Sequence, residues 1–217
     1  MLIILLASLA GSAMAAYTGL LNIPTAETVE PGSMSVELED DGSVQGHTAQ
    51  VYLINTEVGI VPRVEAGVDY EFRNGENGQL QWNGKYVFSV DNHHSVAMAI
   101  GTFSSFPTIG LSNYLVATKD FHSFRLHFGG MRIDGADEWF TGIDSPINER
   151  LILMADYTSG SNNYSSAGFD YWFNDRLDLQ AGVLFANSDS DDLYTLVLSY
   201  SIPLRSRTRD NNSDSED

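Results

Sequence analysis

The sequence has no cysteine, 11 lysines and arginines against 29 aspartates and glutamates, and six prolines in 217 residues. Each shortage excludes something. Without thiols there are no disulfide scaffolds, thiolate metal centres or cysteine nucleophiles. A formal net charge of −18 argues against nucleic-acid binding, which needs a basic surface. Beyond the N-terminus no stretch reaches the ~18 consecutive apolar residues of a membrane helix. A mean hydropathy of −0.13 excludes a polytopic helical membrane protein. No helical periodicity is evident, so no glycine-rich phosphate loop precedes a helix. The acidic runs Asp40-Asp41-Gly42 and Ser188-Asp189-Ser190-Asp191-Asp192 lack EF-hand spacing. They read as solvated external loops, with loose divalent-cation contacts beside lipopolysaccharide phosphates as the other option. Of the histidines His47, His93, His94, His122 and His127, none stands in a catalytic or metal-ligating motif. No enzyme, cofactor or metal is expected.

What is present is a period of two. Residues Met1–Ala15 come first, an apolar run ending in Ala13-Met14-Ala15, the pattern of a cleaved secretory signal peptide. Residues 16–32 form a lead-in. From there to residue 204 apolar and polar residues alternate, the strand signature. Leu80, Trp82, Tyr86, Phe88 and Val90 share one face and Gln81, Asn83, Lys85 and Ser89 the other. Similar segments at 34–40, 49–60, 64–72, 95–103, 111–119, 122–132, 138–144, 150–158, 164–173, 177–185 and 194–204 bring the count to twelve strands. Short connections (Val61-Pro62-Arg63, Asp91-Asn92, Lys119-Asp120-Phe121, Pro146-Ile147-Asn148, Asn174-Asp175) interleave with longer ones rich in Gly, Ser, Asn and Asp. This predicts an all-β, up-and-down antiparallel transmembrane barrel with short periplasmic turns and longer external loops. The polar tail 205–217, with Arg205, Arg207 and Arg209 against a run of acids, is expected to be disordered.

Alternation alone does not say whether the apolar face meets a core or lipid, and a secreted β-sandwich binding module also alternates. Mid-strand charge on the polar face (Glu37, Glu39, Glu57, Glu65, Asp69, Glu71, Lys85, Arg125, Asp156, Asp170) favours a wet lumen. Aromatics near strand ends, including Tyr70, Phe72, Trp82, Trp139, Tyr157, Phe173 and Tyr194, favour interfacial girdles. Twelve strands tilted by about 40° enclose a barrel roughly 24 Å across, too wide for apolar side chains from the wall to fill.

The lead-in carries Thr18-Gly19-Leu20-Leu21-Asn22-Ile23-Pro24-Thr25-Ala26, and later come Asn83-Gly84-Lys85-Tyr86 and Leu151–Tyr157 (LILMADY). These segments resemble the YjbH-like exopolysaccharide-biosynthesis outer-membrane barrels. The resemblance implies a Gram-negative-type outer membrane and an accessory role in exopolysaccharide secretion or assembly. The implied partners are outer-membrane lipid and lipopolysaccharide, a polysaccharide, and envelope secretion proteins. A small polar-solute channel is the alternative.

Three groups of residues are candidates for function. Gly19, Leu20, Leu21, Pro24 and Thr25 form either an ordered lead-in or a plug, because Pro24 lacks a donor and prevents a long strand there. Glu57, Glu65, Asp69, Glu71, Lys85 and Arg125 form a lumen cluster, either a rigidifying ion-pair network or a charged constriction for a polar solute. Asp170 and Trp172 form a candidate saccharide contact.

Overall fold

The computed structural model describes residues 19–46, 50–73, 78–106, 110–133 and 135–204. The signal peptide, residues 16–18, His47 and the 205–217 tail lie outside the described residues.

The alternating segments form β1 (Ser33–Ser43), β2 (Val51–Val61), β3 (Val64–Arg73), β4 (Gln79–Asp91), β5 (Val96–Phe106), β6 (Gly110–Asp120), β7 (Arg125–Ile133), β8 (Ala136–Asn148), β9 (Leu151–Thr158), β10 (Tyr164–Asn174), β11 (Leu177–Ala186) and β12 (Leu193–Pro203). Each strand pairs antiparallel with its sequence neighbours, and β1 also pairs with β12, so the meander closes into a barrel. Closure removes both sheet edges and with them every unpaired row of backbone donors. Outside, the barrel exposes a belt that includes Leu80, Trp82, Tyr86, Ile100, Leu115, Phe128, Leu153, Leu198 and Tyr200. In water such a surface would be an aggregation liability; in lipid it is the solvated face. The mid-strand charges sit on the other face, inside.

The connections depart from the expected pattern at three places. The β7–β8 connection is only residues 134–135, with Gly135 at φ 86°, so it is as tight as the turns at the other end. Strand β8 continues through Pro146 to Asn148, past the expected turn, with an irregularity between Pro146 and Asn148. A proline is tolerated where the ladder is already broken. The β6–β7 turn covers residues 121–124, closed by Phe121 N–H to the Phe124 carbonyl (2.9 Å) and by stacked Phe121 and Phe124 rings.

The interior is not uniformly polar, and this corrects the expectation of a wholly wet lumen. Strands β4–β9 direct Val87, Ala99, Val116, Met131, Phe140 and Met154 inward. The wall alone could not fill so wide a tube. The missing volume is supplied by residues 19–32, which enter the lumen and place Leu20, Ile23 and Ala26 on that apolar surface. Leu20 is 2% exposed and Ile23 0%. Burying each such side chain contributes about 1.5–3 kcal/mol. The wall is shaped for them. A Cβ on Gly142 would lie 2.6 Å from a Leu20 methyl and 2.7 Å from one of Ile23, and a Cβ on Gly182 2.6 Å from one of Leu21. At the barrel end Gly32 N–H bonds the Gly59 carbonyl (2.8 Å), and a Cβ on Gly59 would collide with the Glu30 carbonyl oxygen. Only glycine lets the segment cross the strand there.

Candidate functional site: the lumen wall and the segment inside it

The strand register sets the lumen chemistry. Along one ring of inward positions Asp178 pairs with Ser199, Ser199 with Glu37, Glu37 with Asn55 and Asn55 with Asp69. Carboxylates on β1–β3 therefore stand side by side. Several of them accept from neutral amides one or two strands away. Asn55 Nδ2 donates to Glu39 (2.7 Å), Asn83 Nδ2 to Glu57 (2.5 Å) and Asp69 (3.0 Å), and Gln81 Nε2 to Glu71 (3.1 Å). Glu57 lies over Gly67, where a Cβ would run into its carboxylate. An amide donor satisfies an oxygen without cancelling its charge.

Two cations face the lumen among the described side chains, and both are bonded to carboxylates. Lys85 pairs with Glu65 at 3.0 Å, both almost fully buried, and its Nζ also donates to the Glu27 carbonyl (3.0 Å). Glu65 in turn accepts Val29 N–H (2.8 Å). Arg125 stands elsewhere. It donates through Nε to both Asp144 oxygens (2.8 and 3.1 Å) and pairs through Nη1 with the Glu27 carboxylate. The expected six-residue cluster is thus two sites. Glu57, Glu65, Asp69, Glu71 and Lys85 belong together. Arg125, on β7, has β6 and β8 as its neighbours and meets Asp144 of β8 instead.

The other candidates are placed as follows. Leu20, Leu21 and Thr25 lie inside the barrel, and Gly19 and Pro24 close a tight turn there through a bridge, with Leu20 N–H to the Ile23 carbonyl at 2.8 Å. Trp172 is 8% exposed and its Nε1 donates to Asp170 (2.8 Å). The indole is packed against the wall and presents no open face to a sugar ring.

Sequence reasoning did not bring together Thr118, His127 and Asp144. Thr118 Oγ1 lies 2.9 Å from His127 Nδ1, and His127 Nε2 lies 2.8 Å from Asp144 Oδ2. Hydroxyl, imidazole and carboxylate stand in the order of an acyl-transfer triad. Thr118 Oγ1 already accepts Ala26 N–H (3.0 Å), and His127 is 0% exposed, so the hydroxyl is capped by the segment. The chain signals were weak but real. Arg125, His127 and Asp144 all fall on the polar phase of neighbouring strands.

No protein-family model and no curated protein matches this chain. Solved structures do. A KdgM porin aligns with a TM-score of 0.64 at 9% identity, covering 77% of this chain and 99% of its own. A NanC porin aligns with a TM-score of 0.57 at 11% identity, covering 77% of this chain and 98% of its own. The chain is thus a closed twelve-stranded antiparallel β-barrel whose fold is similar to that of these outer-membrane porins. At such identity the likeness is one of fold, and the particular chemistry rests on the lumen described above.

Proposed function

We propose that this protein is an outer-membrane, porin-like channel for polar solutes, exported through the N-terminal signal sequence, with a preference for cations. The preference rests on one observation: Glu39, Glu57 and Asp69 on β1–β3 accept from the neutral amides of Asn55 and Asn83, donors that carry no compensating charge. A lumen of one sign focuses counter-ions and repels co-ions. A similar barrel is a KdgM porin in complex with disordered oligogalacturonate. Galacturonate is an anion, and this lumen carries the same sign, so acidic saccharides are disfavoured here. The porin likeness also argues for a channel rather than an enzyme.

The exopolysaccharide role rests only on the resemblance of short segments, Asn83–Tyr86, Leu151–Tyr157 and the more specific Gly19–Ala26 region. That region packs into the barrel interior, an occupation that requires no polysaccharide. Lipid and lipopolysaccharide are the partners that the outer apolar belt and the polar loops require.

The test is reversal potential in planar bilayers under a potassium chloride gradient. Cation selectivity is expected, and it should weaken in the Glu57→Gln/Asp69→Asn variant. Anion selectivity, or selectivity indifferent to these substitutions, would overturn the reading.

A further inference from the structure

We propose that residues 19–32 are a releasable gate, held shut by a hydrogen-bonded circuit that starts and ends on adjacent residues, Ala26 and Glu27. The inference rests on the channel reading and adds its regulation.

Two observations carry it. The first is how the segment is attached. Among the described residues it joins the barrel strands by one bridge, Pro31 with Gly59, at the barrel end. At the same end Leu204 N–H bonds the Gly32 carbonyl (2.8 Å), and the ties inside the barrel described above are to wall side chains, so the inner part can leave without breaking any ladder of the sheet. Its apolar residues rest in hollows over Gly142 and Gly182. Side chains seated in hollows can leave them without any change in the barrel backbone.

The second is the circuit. Ala26 N–H donates to Thr118 Oγ1 (3.0 Å). That leaves the Thr118 hydroxyl proton for His127 Nδ1, 2.9 Å away. His127 Nε2 then carries the ring proton and donates to Asp144 Oδ2 (2.8 Å), since a carboxylate bonded by Arg125 can only accept. Asp144 holds the Arg125 guanidinium, and Arg125 returns to the segment through the Glu27 carboxylate. Each donor in this loop has an acceptor within it, and breaking a bond at Thr118, His127 or Asp144 leaves a buried polar group unmatched. Linked bonds of this kind reinforce one another and fail together. The end of the circuit is also its accessible part. Glu27 and Arg125 border a cavity of about 320 Å³ between the segment and the β4–β5 and β6–β7 turns, which Ala26 and Thr118 also line, whereas His127 and Asp144 are buried behind it. The rest of the segment is held more simply. Asn22 N–H bonds Asp156 (3.1 Å), Val29 N–H bonds Glu65, and Lys85 Nζ donates to the Glu27 carbonyl (3.0 Å), contacts outside the loop.

The chain has no cysteine, so one can be placed at will. Ala26→Cys puts a thiol at a buried position, and a membrane-impermeant maleimide reads how often that position is released in the full-length barrel in lipid vesicles. Thr118→Val or Glu27→Gln in this background should raise the labelling rate at least tenfold, and single-channel recordings of the same variants should show a matching rise in open time. Glu27→Gln cuts only the partly exposed ion pair, so it stays informative if Thr118→Val folds poorly. Faster labelling without conductance would keep the gate and overturn the channel. Labelling rates unchanged in both variants would overturn the gate, whatever the conductance. A disulfide between Ala26→Cys and Thr118→Cys should close the channel, and reduction should reopen it. Equal conductance in the two redox states would also refute the gate.

Discussion

Replacing Lys85 by methionine tests whether the lumen network holds the fold together. Lys85 Nζ is 3.0 Å from Glu65, and the two side chains are 4% and 5% exposed. At that separation and an effective dielectric of about 20, the attraction is about 5 kcal/mol. The variant does not lose all of it. Glu65 keeps the Val29 N–H bond, and the methionine side chain fills most of the lysine volume. What remains is a carboxylate buried without its cation, a situation that costs about 3–5 kcal/mol. The lost bond to the Glu27 carbonyl adds about 1 kcal/mol. A loss of about 5 kcal/mol is therefore expected from the buried charge and the lost bond together, in urea unfolding of the lipid-reconstituted barrel, followed by tryptophan emission and by heat-modified gel migration. Neutralising the partner supplies the control. Glu65→Gln on top of Lys85→Met removes the unpaired charge, and the double variant should recover at least half of the loss. A single-variant cost below about 1 kcal/mol, or a double-variant cost equal to the sum of the singles, would refute the argument, because the two groups would then not be coupled.

Two further predictions concern the outer surface. Ile100, exposed near the middle of β5, should cost about 2–4 kcal/mol as Ile100→Arg in vesicles, and a negligible cost would mean that this face does not meet lipid. Trp82 and Trp139 are on the outside and Trp172 is buried, so brominated lipid should quench single-tryptophan variants retaining either of the first two and spare the variant retaining Trp172. Quenching of Trp172 would place it on the wrong face.

The strands were legible because every second residue answers to one environment. Leu80 to Val90 and Leu196 to Tyr200 predicted their faces by phase alone, and the phase of Glu57, Glu65 and Asp69 placed them inside. Phase does not say which strands meet. A meander pairs each strand with its chain neighbours, so Arg125 of β7 could not join carboxylates on β2 and β3, and its partner had to come from β6, β8 or the segment between. The partners Asp144 and Glu27 satisfy that rule. The fit of Leu20 over Gly142 had no local signal, since a glycine inside a strand reads as a weak strand residue until the side chain that fills its hollow is known. The inward Val116, Met131 and Phe140 look like breaks in a polar face for the same reason.

The two halves of the lumen explain each other. An apolar wall on β4–β9 would be a wet hydrophobic surface in an empty tube, destabilising by the same ~25 cal/mol per Å² that favours its burial. Residues 19–32 cover it, which is why the barrel tolerates Phe140 and Met154 where a pore would ordinarily place polar groups. The covering segment meets β2 and β3 at Gly59 and Glu65, sets its apolar residues along the apolar side, and takes further polar ties from Lys85 and Arg125 at the edge of that surface. In the proposed channel, the acidic wall is the surface that a solute would meet once the segment moves. The same division accounts for a composition that reads as a soluble acidic protein: lipid sees only the outward half of each strand, and the rest faces water or the chain itself.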